Sequence, residues 1–331
     1  MHRFSSLLVL VLMLVGGTRA SAEWNTVYHM NQRYVSLSQI PQYYREYAFT
    51  RSQPTGNVIR FTSNMSHGKT IMDFQLGSPN VYMNGVKFNF SFPIVYKDGR
   101  YLVSQIDLVK LINPILRPSY IDQSARVRTV VLDPGHGGRD PGTVNNYGYE
   151  KDFALKLAQK VRAKLEQVGF HVVMTRYGDQ SLELEDRVRI ANRTQDAIFV
   201  SLHFNSVSGG GAEGIETFTL SPPGSATFGR ALRTSDLTVR AGNAKDTSNI
   251  ALATAIHGRV ISRLGAKDRG IKRHSELYVL RGIKHPTILF EGGFMSHPGE
   301  ALKIKSDTYL DQMAHAIYEG IVVYKTATER R

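Results

Sequence analysis

The chain has 331 residues, 42% of them hydrophobic, a formal net charge of +13 and no cysteine. That length accommodates two domains, and the composition is that of a folded globular protein, which excludes a disorder-dominated chain. The lack of cysteine excludes disulfides and thiolate metal ligands, so any metal must be held by His, Asp or Glu.

Residues 1–22 read as a secretory signal peptide. Arg3 opens them, Leu7 to Val15 is an unbroken apolar run, and Ala20-Ser21-Ala22 supplies the small residues of a cleavage site before Glu23. The run is shorter than the ~20 apolar residues that span a bilayer. No later stretch is long enough either, so the mature chain is expected to have no transmembrane segment and to work in the periplasm or outside the cell. Loss of Arg3 and Arg19 leaves a formal charge of +11. Such a charge suits an anionic polymer. Export, and the absence of a nucleic-acid-binding motif or arginine–aromatic cluster, argue against nucleic acid as that polymer.

Residues 23–112 read as a small α+β unit. Ser36 to Phe49 has helical character despite Pro41. Val58 to Thr62 and Thr70 to Leu76 read as strands. Val86 to Phe92, Ile94 to Tyr96, the Asp98-Gly99 turn and Tyr101 to Val103 form a hairpin-like run, followed by a short helix near Gln105 to Ile112. The stretch MNGVKFNFSFPIVYKDGRYLVSQIDLVKLI, from Met83, resembles the repeat of the small module named after the amine oxidase amino-terminal domain. That resemblance implies a stalk or positioning module without copper chemistry.

Asn113 to Arg126, with two prolines and a polar run, is the expected linker. A second domain over 127–326 then alternates strands and helices, and a basic tail, 327–331, ends the chain. The strands expected are Val127 to Asp133, His171 to Thr175, Ala197 to Leu202, Ile215 to Leu220 and Thr287 to Phe290. Between and after them run helices at Lys151 to Val168, Leu184 to Thr194, Ile250 to Leu264 and Tyr309 to Tyr324. Strands separated by such helices imply crossover connections, hence an α/β fold with a mostly parallel sheet flanked by helices on both faces.

Four residues able to bind a metal or move a proton fall at equivalent points of this alternation. His136 follows the first strand in DPGHGGRDPG, and His203 ends AIFVSLH. Glu150 stands immediately before the long helix that begins at Lys151, and Glu291 ends TILFE ahead of two glycines. The carboxyl ends of parallel strands share one sheet edge, so the four can meet in one cleft. Two imidazoles and one carboxylate with an open fourth position make up the ligand set of a hydrolytic zinc site. His136, Glu150 and His203 are therefore the candidate ligands of one Zn2+, and Glu291 is the candidate proton shuttle.

In order, DPGHGGRDPG, GYEKDFALKLAQKV, VVMTRYGDQSLELEDRVRIAN, AIFVSLHFNS and HPTILFEGGFMSHP resemble the motifs of the zinc-dependent N-acetylmuramoyl-L-alanine amidases of the type 3 family. The likeness runs from about Val127 to Tyr324 and implies a zinc amidase/exopeptidase-like fold. It also implies cleavage of the amide between the lactyl group of N-acetylmuramic acid and L-alanine of the stem peptide. By motif, His136, Glu150 and His203 match the zinc ligands and Glu291 the catalytic carboxylate. Peptidoglycan is then the expected partner, in wall remodelling or daughter-cell separation, with room left for an activator protein. Two other readings are a zinc peptidase acting on wall peptides and a non-catalytic peptidoglycan-binding protein.

Lesser expectations attach to other positions. Asp133 or Asp140 is placed to orient His136. Asn205 and Arg281 resemble recurrent family positions, whereas Arg176, Asp179, Glu185 and Arg187 are expected in internal ion pairs. His257, His274, His285, His297 and His315 are expected to be surface or structural residues. Some exported relatives carry a regulatory helix whose glutamate plugs the metal. The corresponding Ser221 to Asn249 contains Pro222-Pro223 and no glutamate, which predicts an open site that neither Asp236 nor Asp246 blocks.

Overall fold

The computed structural model describes residues 24–65, 68–118, 121 and 126–329. The expected signal peptide lies outside them. Packing divides the chain between Arg117 and Pro118 into two units.

The first unit opens on a hairpin absent from the sequence reading, β1 (Thr26–His29) and β2 (Gln32–Ser36). Its turn residues Met30 and Asn31 have φ of 47° and 57°, both left-handed, as a two-residue type I′ turn requires. The single helix expected over Ser36 to Phe49 is instead broken into short turns, with α1 (Ile40–Tyr43) between 3-10 turns at Leu37–Gln39 and Arg45–Tyr47. Pro41 falls in the first turn of α1, where its missing N–H is no loss.

Next come β3 (Thr50–Arg51), β4 (Val58–Met65), β5 (Gly68–Gln75), β6 (Asn80–Met83) and β7 (Val86–Asn89), which pair antiparallel in succession. β8 (Val95–Lys97) and β9 (Arg100–Ser104) form a hairpin over Asp98-Gly99, and β9 also pairs with β2. The unit closes with α2 (Gln105–Asp107), a π-helical turn at Leu108–Ile112 and α3 (Asn113–Leu116). The linker therefore begins later than the proline at position 114 suggested. Pro114 sits in the first turn of α3, and burial of Ile115 and Leu116 holds the helix on the unit.

The second unit runs β10 (Thr129–Pro134), a small hairpin of β11 (Val144–Asn145) and β12 (Gly148–Tyr149), α4 (Glu150–Gln167), β13 (His171–Met174), α5 (Leu184–Arg193) and β14 (Ala197–Asn205). It continues with β15 (Ile215–Leu220), α6 (Asp246–Leu264), β16 (Asp268–His274), α7 (Tyr278–Gly282), β17 (Thr287–Phe294), α8 (Pro298–Lys305) and α9 (Asp307–Glu329). Its strands lie in the order β13-β10-β14-β17-β15-β16. All neighbours pair parallel except β15 and β17, which are antiparallel. The sequence reading missed β16, whose charged residues masked its alternation, and it also missed α8.

Alternation along the strands divides the core. Val131, Phe199 and Leu289 pack with Leu220 against Ala191 of α5 and Val279 and Leu280 of α7. Their neighbours in sequence, Val130, Leu132, Ile198, Val200 and Ile288, are fully buried on the other face, where α4, α6 and α9 pack together and against the sheet. α9 extends through Glu329, whose carboxylate accepts from the Val127 amide at 3.2 Å. The start of the expected tail is thus helix, with Thr328 buried. Among the described residues no helix is long and apolar enough to cross a membrane.

Candidate metal centre

The face of the sheet that is apolar at Phe199, Leu289 and Leu220 turns polar one or two residues further along each strand. On β14 the inward series runs Phe199, Ser201, His203, Asn205. On β17 it runs Leu289 then Glu291, and on antiparallel β15 the series Leu220, Phe218 ends at Glu216. Register brings these ends level, because His203 pairs with Glu291 and Glu291 with Glu216. A row of one imidazole and two carboxylates therefore crosses three strands at the carboxyl edge of β14 and β17.

His136 and Glu150 meet this row from outside the sheet. Glu150 is the first residue of α4, with its side chain folded into the interior. Its Oε1 lies 3.0 Å from His136 Nε2 and 3.0 Å from His203 Nδ1, and it accepts from the Phe204 amide at 3.1 Å. Its Oε2 accepts from the Thr143 amide at 3.0 Å. One nitrogen of each histidine and one oxygen of Glu150 lie within 4.8 Å of one another, the group among the described residues suited to hold a metal ion. The two imidazole rings meet edge to face with centroids 4.9 Å apart.

The glycines of the loop are explained by contact. A Cβ on Gly135 would stand 2.1 Å from the ring of His203, and one on Gly142 2.7 Å from both Glu150 and His136. His136 itself has φ of 60°, a left-handed conformation that an L side chain adopts only at some cost.

Of the two aspartates near His136, the structure selects Asp140. Its Oδ2 lies 2.7 Å from His136 Nδ1, and its Oδ1 accepts from the Gly142 amide. A proton on Nδ1 donated to Asp140 leaves Nε2 free to face Glu150. Asp133 points into the sheet face instead, where it accepts from Arg187 at 2.6 Å, Thr175 at 2.6 Å and Ser201 at 2.7 Å.

Charge balance follows from this packing. Burial alone would raise Glu150, but the two histidines hold its carboxyl far below the usual range. Burial would lower His136, yet its bonds to Glu150 and Asp140 raise it above an ordinary histidine. Glu291 goes the other way. Burial, then the charges of Glu150 and Glu216, push it well above the usual carboxyl range against the pull of Lys272. Its Oε2 is buried and has no hydrogen-bond partner among the described residues.

A donor set of two imidazoles and a carboxylate, converging on one point beside an unsatisfied buried carboxylate oxygen, fits a zinc ion with an open position. The sequence reading assigned no role to Glu216. Its carboxylate accepts from Asn205 at 2.6 Å and from Arg269 at 3.2 Å, and pairs with the buried Lys272. A lone charge among the apolar residues of IETFTL was the signal available.

Arg187 pairs with Asp133 and Asp179 with Lys151, whereas Glu185 bonds Tyr278. Among the described residues Arg176 pairs with no carboxylate and instead donates to four main-chain carbonyls. Arg281 lies over the ring of Tyr278. His257 is buried between Thr217 and Asp268, His297 caps α8, and His315 faces Glu319. In the segment after β15, Asp236 is held by both terminal nitrogens of Arg230 at 2.7 Å and by Ser275, and Asp246 accepts from Asn243 at 3.0 Å. Neither carboxylate belongs to the donor group.

Residues 130–323 match the family described as N-acetylmuramoyl-L-alanine amidase. The chain is similar to N-acetylmuramoyl-L-alanine amidase LytC of Bacillus subtilis, 33% identical over 59% of this chain and 35% of LytC, so it spans about a third of that relative's length. It is 36% identical to the endolysin of Bacillus phage SPP1 over 59% of this chain and 65% of the endolysin. Among solved structures it resembles N-acetylmuramoyl-L-alanine amidase AmiC2 of Nostoc punctiforme, with a TM-score of 0.50 and 35% identity over 59% of this chain and 96% of that one.

Proposed function

This chain belongs to the N-acetylmuramoyl-L-alanine amidase family, and we propose that it hydrolyses the amide joining the lactyl group of N-acetylmuramic acid to L-alanine of the peptidoglycan stem peptide. One zinc ion would be held by His136, Glu150 and His203, with Glu291 as the proton-transfer residue. The carrying observation is the convergence of three donor atoms within 4.8 Å in a register that sets Glu291 level with His203.

Zinc, when bound, supplies a Lewis acid that polarises the scissile carbonyl and acidifies water. The chain's residues do the rest. Asp140 keeps the Nδ1 proton of His136 in place and thereby fixes which nitrogen faces the centre. Glu291 takes a proton from the attacking water and returns it to the nitrogen of the departing L-alanine, so the peptide leaves as a neutral amine. In the metal-free chain its carboxyl is pushed well above the usual range; beside the charge of a bound zinc ion it would shift down toward the ionised form that accepts the water proton.

The basic charge, +11 after removal of Arg3 and Arg19 with the expected signal peptide, favours association with an anionic wall, to which that peptide would deliver the chain. Wall remodelling or daughter-cell separation is the role we assign, with the first unit as a positioning module.

The test is mass spectrometry of soluble products after incubation of the protein with sacculi, with and without a zinc chelator. Free stem peptides beginning at L-alanine, lost on chelation, are the expected result. Products cut within the peptide would replace this reading with a zinc peptidase. Sacculus binding by a zinc-free protein without products would make it a binding protein.

A further inference from the structure

Arg176 is the largest fully buried side chain of the described structure, 1% exposed. An isolated buried guanidinium is costly, and an apolar side chain of similar volume fills such a space at less expense. Arg176 nevertheless pairs with no carboxylate among the described residues. Its fork is spent on main-chain oxygens: Nε donates to Pro134 O at 3.0 Å, Nη1 to Gly178 O at 3.0 Å, and Nη2 to both Gly135 O and Lys151 O at 2.8 Å.

The identity of those carbonyls is the informative point. Gly135 precedes His136 and Lys151 follows Glu150, so a single nitrogen ties the backbone beside one candidate ligand to the backbone beside the next. The Gly135 amide in turn donates to Leu202 O at 3.0 Å, the residue before His203. A continuous hydrogen-bonded path, Lys151 to Arg176 to Gly135 to Leu202, thus passes next to all three ligands.

Arg187 completes the hold on the loop, donating to Pro134 O at 2.8 Å and His136 O at 2.7 Å while paired with Asp133. Two guanidinium groups therefore grip three successive carbonyls around a residue with φ of 60°. A Cβ on Gly137 would meet Gln180 O at 2.3 Å, with Arg176 Cδ and Nε next at 3.0 Å.

We propose that Arg176, with Arg187 as its partner on the His136 loop, is the positioning residue that sets the spacing of the three metal ligands. This inference rests on the metal-site reading above. The two arginines touch neither the metal position nor the reacting atoms. They hold the loop in its left-handed conformation before the ion arrives, so that binding energy is not drawn on to assemble the site.

The experiment measures zinc affinity of the full chain by competition with a chromophoric chelator, alongside the visible absorption of the Co2+-loaded protein. In Arg176→Lys the charge stays but one compact ammonium cannot reach four carbonyls. Zinc affinity should fall about tenfold or more, and the Co2+ bands should change. Leu165→Ala, in the buried face of α4, lowers stability without touching the loop and should leave zinc affinity within about twofold.

Arg187→Lys retains a cation for Asp133 and should lose about fivefold in affinity as one of its carbonyl contacts goes. It carries the test if Arg176→Lys does not fold. Parent-like zinc affinity in a folded Arg176→Lys, or in Arg187→Lys where only that variant folds, overturns the proposal. So does an equal loss in Leu165→Ala, which would make the effect one of general stability. A parent chain that binds no zinc overturns the metal-site reading itself and is distinguishable from these.

Discussion

His203 and His136 approach the same oxygen of Glu150, each at 3.0 Å, by opposite means. His203 lies inside a nine-residue strand, and the hydrogen-bonded ladder that pairs it with Glu291 also fixes its position. His136 sits in a glycine loop at φ of 60°, held by side chains from positions 140, 176 and 187. Strand pairing supplies one half of the centre, with the register shifting only beyond His203. The other half needs a strained loop because His136 must leave the sheet and turn back over it. The difference teaches where the site is vulnerable: changes around the loop should disturb the metal, and changes to the two carboxylates of the sheet row, Glu291 and Glu216, should disturb chemistry or stability with the metal retained.

The largest expected effect lies on the sheet side. Glu291→Gln should lower amide hydrolysis by about 10²- to 10⁴-fold, the scale of a lost general acid–base residue, while one zinc per chain remains in elemental analysis. His136→Ala on the loop side should lose zinc and turnover together. Equal zinc loss in both would make Glu291 a ligand and erase the distinction.

Next in size is Glu216→Gln. It removes the carboxylate shared by Lys272 and Arg269 in a buried position, so denaturant unfolding should show a loss of about 3 kcal/mol. Zinc affinity should stay within about twofold, since His203 is set by the ladder and not by this network. A tenfold loss of zinc would show that the sheet side also depends on distant side chains. Smaller again, Asp140→Asn should cost about 10- to 100-fold in zinc affinity, read by the same chelator competition, with the fold intact by circular dichroism. Unchanged affinity would remove Asp140 from the loop's support.

The same contrast explains what was legible in the sequence. His203 and Glu291 each end an apolar run followed by polar or glycine residues, and strand-end logic places such residues at one edge. His136 and Glu150 could be read from a strand-to-loop and a loop-to-helix boundary. The residues that steady the loop could not. Asp133 and Asp140 flank His136 at comparable distances in sequence. Only the structure shows that alternation turns Asp133 toward Arg187, while the Gly137 and Asp140 backbone pairing folds Asp140 back onto the imidazole. Arg176 follows a strand in TRYGD and looks like an ion-pair residue, because its partners are carbonyls that sequence does not mark. Glu216 was legible in principle as a charge inside a buried strand, and β16 was hidden for the reverse reason, with charges at most of its positions. The first hairpin lacked an Asn-Gly turn and passed unnoticed.

The smallest effect is on stability as a function of pH. In the metal-free chain both His136 and Glu291 have raised pKa values, so the folded state holds their protons more tightly than the unfolded state does. Their contribution is complete below the unfolded values of about 6.5 and 4.3 and is lost as pH rises through the folded ones. Glu150 and Asp140 are lowered despite burial by their histidine partners, and Asp133 despite burial by Arg187, Thr175 and Ser201. Their contribution is present above the unfolded range of about 4 and is lost as pH falls further. His136 and Glu291 thus contribute a decline in the metal-free Tm above about pH 5.5, opposed by His274 and His285, whose pKa values are lowered by burial and contribute a rise over the same range. A bound zinc ion would oppose the decline, because His136 would have to release its proton to bind it. The Tm difference between zinc-loaded and chelated protein should thus widen with pH in differential scanning fluorimetry. Glu291→Gln should flatten the metal-free decline while keeping the zinc-dependent widening, and Asp140→Asn should weaken the widening itself. A gap that is constant across this range would mean that the loop holds no proton for zinc to displace.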